Sequence, residues 1–133
     1  MPRRSFLKIG TSAAAGLVLA PQVFAAETRR VVVWSEHTAP KDVYPKDINT
    51  AIADALKPLP GWEVVVSSID DPEQGCSEES LNKTDVLIWW GHKRHDEVKD
   101  KYVDLIEKRV KQEGMGFIAL HSSHFARPDR SVV

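Results

Sequence analysis

One cysteine, Cys76, stands in a chain of 133 residues. A lone thiol has no intrachain partner, so no disulfide framework holds the fold. As a nucleophile Cys76 has little support, because it sits in the acidic stretch DDPEQGCSEES, where neighbouring carboxylates disfavour the thiolate. An excess of positive charge is missing as well. The 18 Lys and Arg face 19 Asp and Glu, which removes the basic stripe that nucleic-acid binding requires. There is no G-x-G-x-x-G, no Walker phosphate loop, no internal repeat and no low-complexity tract.

What is present begins with PRRSFLKIGTSAAAGLVLAPQVFAAE. Arg3 and Arg4 form a twin arginine, a small and apolar stretch covers residues 9–20, and VFA precedes Ala26. This pattern reads as a bacterial twin-arginine export signal over residues 1–25, cleaved after Ala25, with the mature protein periplasmic or secreted. The apolar run is short and interrupted by Gly10, Thr11, Ser12 and Gly16, so it does not read as a membrane span. Its partner is then the export machinery. Removal of Arg3, Arg4 and Lys8 takes the 18 basic residues to 15 against 19 acidic, a net of −4. Residues 26–133 are expected to form one α/β domain, and 42% hydrophobic with 28% charged residues is an ordinary globular composition.

Along that domain, RRVVVWSE is a continuous β-branched run bounded by charge, which predicts a strand buried on both faces. Pro45 is placed to open a helix whose apolar stripe is Ile48, Ala51, Ile52, Ala55 and Leu56, ended by Pro58 and Pro60. GWEVVVSSI predicts a second strand, and a short helix follows from Ser77. TDVLIWWG predicts a third strand. A long helix over residues 96–112 buries Val98, Tyr102, Leu105, Ile106 and Val110 and is capped by Gly114. GFIALHS predicts a fourth strand. The alternation gives a doubly wound parallel sheet, flavodoxin-like or Rossmann-like, with right-handed crossovers.

All five histidines fall at expected strand ends. His37 follows Ser35 and Glu36 after the first strand, His92 and His95 follow the third, and His121 and His124 follow the fourth. In an open parallel sheet the carboxyl ends of the strands form the ligand crevice. Neutral imidazoles there can bind zinc or another divalent ion, with Glu36 or Asp96 as a carboxylate ligand, or a histidine can act as general base. Ser122 and Ser123 stand where a nucleophile elbow would place a serine, although the glycines of G-x-S-x-G are absent. Plain structural readings stand beside these. His92 can cap a helix or bond a carbonyl, His95 can be solvated, Trp34 can be core, and Trp89 and Trp90 point to opposite faces, one to the core and one to the crevice. The charge run over residues 93–101 fits a solvated helix face.

The strings VWSEHT, YPKDINTAIADAL, TDVLIWWGHKRHDEV and GMGFIALHSSHF resemble the trehalose-utilisation (ThuA-like) family, from Arg29 to Phe125. The resemblance implies a flavodoxin-like fold related to class I glutamine amidotransferases and a role in uptake and catabolism of trehalose and related disaccharides. His92, His95, His121 and His124 match the family's motif histidines, and Glu36 matches the polar end of its first strand. The implied function is carbohydrate processing, with a divalent metal such as zinc held by these four histidines, or the same groups in acid–base roles. Trp34, Trp90 and Ser122 are the expected sugar-binding residues. An amidotransferase would carry a cysteine nucleophile where this chain has LHSSHF, so glutamine hydrolysis is not implied. A non-catalytic sugar-binding module is the alternative. Family members continue past the HSxHF motif, so the domain is expected to be incomplete at its C-terminus, and an inactive fragment is a further alternative.

Overall fold

Residues 31–33, 64–66 and 86–88 lack polar–apolar alternation, which suits each run to a sheet covered on both faces. A computed structural model of the chain describes residues 27–121, 123, 127 and 128, and of His95 the backbone alone. The runs are strands: β1 (Arg29–Ser35), β2 (Trp62–Ser68) and β3 (Val86–Gly91), joined by β4 (Gly116–His121). Between them lie α1 (Ile48–Leu56), α2 (Glu78–Asn82) and α3 (Asp100–Glu113). Every pairing is parallel, in the spatial order β2-β1-β3-β4. The chain is thus an α/β protein with a parallel sheet and helices on both faces, consistent with a flavodoxin-like fold.

Register decides which side chains share a face. Val32, Trp34, Leu87 and Trp89 lie on one, packed with Leu81 of α2 and Tyr102, Val103 and Ile106 of α3. Val31, Val33 and Ile88 lie on the other, packed with Ile52, Ala53 and Leu56 of α1. The expected caps of the later helices are present. Ser77 accepts from the Ser80 amide at 3.2 Å, and Gly114 takes the left-handed conformation (φ 76°) after α3.

Two boundaries differ from expectation. Pro45 is not the first helical residue; α1 starts at Ile48, after Asp47 turns the chain at φ 70°. The Asp47 carboxylate does not cap the helix, because it accepts from the Ser35 hydroxyl and, at 3.3 Å, from the Ala39 amide. The long helix does not start near Asp96 either. His95–Glu97 forms a single 3-10 turn, and Val98 leaves helical geometry (φ −71°, ψ 122°) with its side chain in the core.

Gly75 sits at φ 64°, and a Cβ there would stand 2.8 Å from the Ser68 carbonyl oxygen and 3.0 Å from Ser67 Cβ. Gly75→Ala should therefore cost about 2–3 kcal/mol in urea unfolding. Gly114→Ala, at φ 76° but surrounded by open space, should cost about 1 kcal/mol. Equal costs would contradict the close approach at Gly75.

Candidate functional site

The crevice of such a sheet lies at the carboxyl ends of the strands, where strand order reverses. Here the reversal falls between β1 and β3. The chain leaving β1 delivers Glu36 and His37, that leaving β2 delivers Asp70, and that leaving β3 delivers His92 and Arg94. His121 closes β4, opposite Gly91.

Glu36 is only 1% exposed. Its Oε1 accepts from the Thr38 hydroxyl at 2.7 Å and from the Lys93 amide, and its Oε2 accepts from the Arg94 amide at 2.9 Å. Burial pushes the Glu36 carboxyl up, but the Thr38 hydroxyl and the amides of residues 92–94 outweigh it and hold the group below the usual carboxylate range. Glu36 is thus the anchor of the turn after β3, where the sequence alone suggests a catalytic or metal-ligating carboxylate. Asp96 lies exposed in the next turn.

That turn presents His92, whose ring stacks on His121 with centroids 4.7 Å apart and planes 17° apart. His121 takes φ 59°, a conformation uncommon outside glycine. Trp90 is 7% exposed and flanks both rings, its centroid 6.3 Å from His92 and 5.7 Å from His121. Two of the four motif imidazoles are therefore side by side against one indole. The His95 side chain, Ser122 and His124 lie outside the described residues, as does the leader over residues 1–25.

Trp34 is not at the crevice. It is 1% exposed, stacks on Trp89 with centroids 3.5 Å apart, and donates from Nε1 to the Gln74 carbonyl at 2.8 Å. Its ring belongs to the core, which leaves no open face for a sugar. Trp89 is equally core, and Trp90 takes the opposite face of β3, as the expected alternation requires. The Ser123 hydroxyl is fully buried and accepts from the Gly91 amide at 2.6 Å while lying 3.1 Å from the Trp89 carbonyl. Ser123 ties the ends of β3 and β4 together and is not an exposed nucleophile.

Sequence reasoning misses Asp70 and the order within the charge run. Asp70 accepts from Arg94 Nη1 at 3.0 Å and from His37 Nδ1 at 2.9 Å, and these bonds, Arg94 foremost, hold its carboxyl below the usual range. A carboxylate only accepts, so His37 carries its proton on Nδ1 and a neutral ring has Nε2 as acceptor. Arg94 also forks onto Glu97 (2.9 and 2.7 Å) and donates to the Glu36 carbonyl at 3.0 Å. The available signal is position: Asp70 follows the second strand, on the same edge as the histidines.

Among the described residues no three His, Cys, Asp or Glu side chains are grouped to hold a metal ion. His92 and His121 supply two imidazoles, and zinc takes three or four protein ligands, so an ion here needs His95 or His124 as well. Cys76 lies away from this edge, buried in the core. Burial, rather than the acidic neighbours, pushes its thiol up to about 12. The folded chain should therefore resist a disulfide reagent at pH 8 and react once unfolded in urea; rapid labelling of the native protein would contradict the burial.

No protein-family model matches the chain, and no curated protein matches it.

Proposed function

We propose that this chain is an exported carbohydrate-processing protein, with its site at the carboxyl edge of β3 and β4 and a disaccharide of the trehalose type or a keto-sugar as substrate. The observation that carries the reading is the His92–His121 stack beside Trp90. An imidazole is the side chain suited to accept or donate a proton near neutral pH, and two of them can serve a reaction that needs both roles. Glu36 and the amides it gathers hold His92 in position. Of the aromatics expected to stack on sugar, Trp90 takes the role alone. A divalent ion enters the reading where His95 and His124 complete the donor set begun by His92 and His121; when bound it would polarise a substrate oxygen or a water. The substrate class and the export to the periplasm or beyond are supported by the likeness of WWGHKRHDEV and LHSSHF to ThuA-like motifs and by the twin arginine of the leader.

The test is product detection over a panel of disaccharides with the full chain, alongside its metal content. Loss of an acid–base group should lower turnover on the order of 100-fold or more in His92→Ala and in His121→Ala. Binding without turnover would make the protein a sugar-binding module. Undiminished turnover in both variants, with no stoichiometric metal, would overturn the catalytic reading.

A further inference from the structure

His37 stands where β1 ends, on the same rim as His92 and His121, yet the imidazole stack does not include it. Ser35 pairs with Trp90, so the chains that leave β1 and β3 run out of the sheet side by side. The Glu36 carboxylate then binds the Lys93 and Arg94 amides. His37 directly follows that carboxylate and His92 directly precedes those amides, which brings both histidines out of neighbouring strands at one edge.

The His37 ring is fixed from the ends of three strands. Its Nδ1 donates to Asp70 Oδ2 at 2.9 Å, in the loop after β2. Asp70 Oδ1 accepts from Arg94 Nη1 at 3.0 Å, and Arg94 is itself forked onto Glu97 and bonded to the Glu36 carbonyl. The His37 backbone takes φ 55°, a region sparsely used by residues other than glycine. Its side chain remains 37% exposed, and Nε2 has no partner among the described residues. A pair this open adds little to stability, so stability does not explain the arrangement. Backbone strain of this kind collects at active sites and ligand clamps.

The chemistry offered at Nε2 is that of an acceptor. A carboxylate can only accept, so Asp70 keeps the proton of the neutral ring on Nδ1 and leaves the Nε2 lone pair for a donor. The neighbouring Asp70 carboxylate disfavours an anion and the Arg94 guanidinium disfavours a cation, which leaves a neutral donor as the fitting group. A sugar hydroxyl is such a donor, and a few fixed polar groups are what orient a ligand in its pocket.

We propose that His37 is a further sugar-contacting residue of the rim, its Nε2 accepting from a substrate hydroxyl, with Asp70 and Arg94 as positioning residues. The identity of the ligand rests on the carbohydrate reading; the tautomer does not.

The test has two arms, both on the full chain. Ring nitrogen resonances of the isotope-labelled protein at pH 8 should show His37 protonated on Nδ1 and bare on Nε2, with Asp70→Ala moving the proton toward Nε2. A proton on Nε2 in wild type, or an unmoved one in Asp70→Ala, overturns the proposal with no sugar present. Calorimetric titration with trehalose and with sucrose forms the second arm. Loss of one hydrogen bond should weaken binding about tenfold in His37→Ala. His37→Gln, whose amide oxygen can stand in for Nε2, should recover most of that loss. Unchanged affinity in His37→Ala, or an equal loss in both variants, overturns the acceptor role. A wild-type chain that binds neither sugar overturns the carbohydrate reading itself, and this use of His37 with it.

Discussion

Replacing Glu36 by alanine is expected to cost about 3–5 kcal/mol of stability, because it strips a buried acceptor from several donors at once. The Thr38 hydroxyl and the Lys93 and Arg94 amides all point at this carboxylate, in a pocket where water is not an immediate substitute. Glu36→Gln keeps the volume but turns a donor toward amides that need an acceptor, and should cost about 2 kcal/mol. The charge also has a pH signature. Its folded value lies below the ordinary one, so its contribution is fully present above about pH 4.3 and is lost as pH falls through the folded value. Urea unfolding of wild type and Glu36→Gln at pH 7 and at pH 3 should show the difference between them shrinking at low pH. A constant difference would mean that the ionised carboxylate is not what holds the turn. Asp70 and Glu97 also have lowered values, but they stand in solvent and should add little.

Trp34→Ala should be as damaging, at about 3–5 kcal/mol, the usual range for deleting a buried large aromatic. The ring is sealed in the core, lies flat on Trp89, and spends its one donor on the Gln74 carbonyl. For a domain of this size the loss corresponds to a midpoint lower by roughly 10–20 °C. Trp34→Phe retains the stack and forfeits the hydrogen bond, so about 1–2 kcal/mol is expected, together with partial filling of the space. Circular dichroism melts of the two variants measure this directly. A Trp34→Ala chain that melts within a few degrees of wild type would return Trp34 to the surface and to the sugar-binding candidates.

These two residues also mark where sequence reading stops. The strands are legible because runs such as VVVW and VLIWW have one physical home, a sheet covered on both sides. That same continuity hides the faces: strand geometry sends Trp89 and Trp90 to opposite sides, but with no polar alternation nothing in the string says which of the two shares a face with Trp34. Register does, and register lies between strands far apart in sequence. Glu36 is legible as a polar strand end but not as an anchor, because what it anchors, through the Lys93 and Arg94 backbone amides, lies more than 50 residues away. Apolar spacing puts Val98 in the core, rightly, and in a helix, wrongly. Its burial is satisfied from an extended residue between a 3-10 turn and α3, a choice that spacing does not encode. The histidine edge, by contrast, is readable early, since topology alone sends the residues after parallel strands to one rim.

The central claim is that this rim, with His92, His121 and Trp90 at its heart, is where the protein meets a sugar. Titrating the isotope-labelled full chain with trehalose and related disaccharides, while following the histidine ring and tryptophan indole resonances, tests it most directly. The account predicts saturable shifts at His92, His121 and Trp90, with Trp34 and Trp62 unmoved. Resonances at the rim that stay fixed across the panel, or shifts confined to Trp62 at the opposite end of β2, would contradict it.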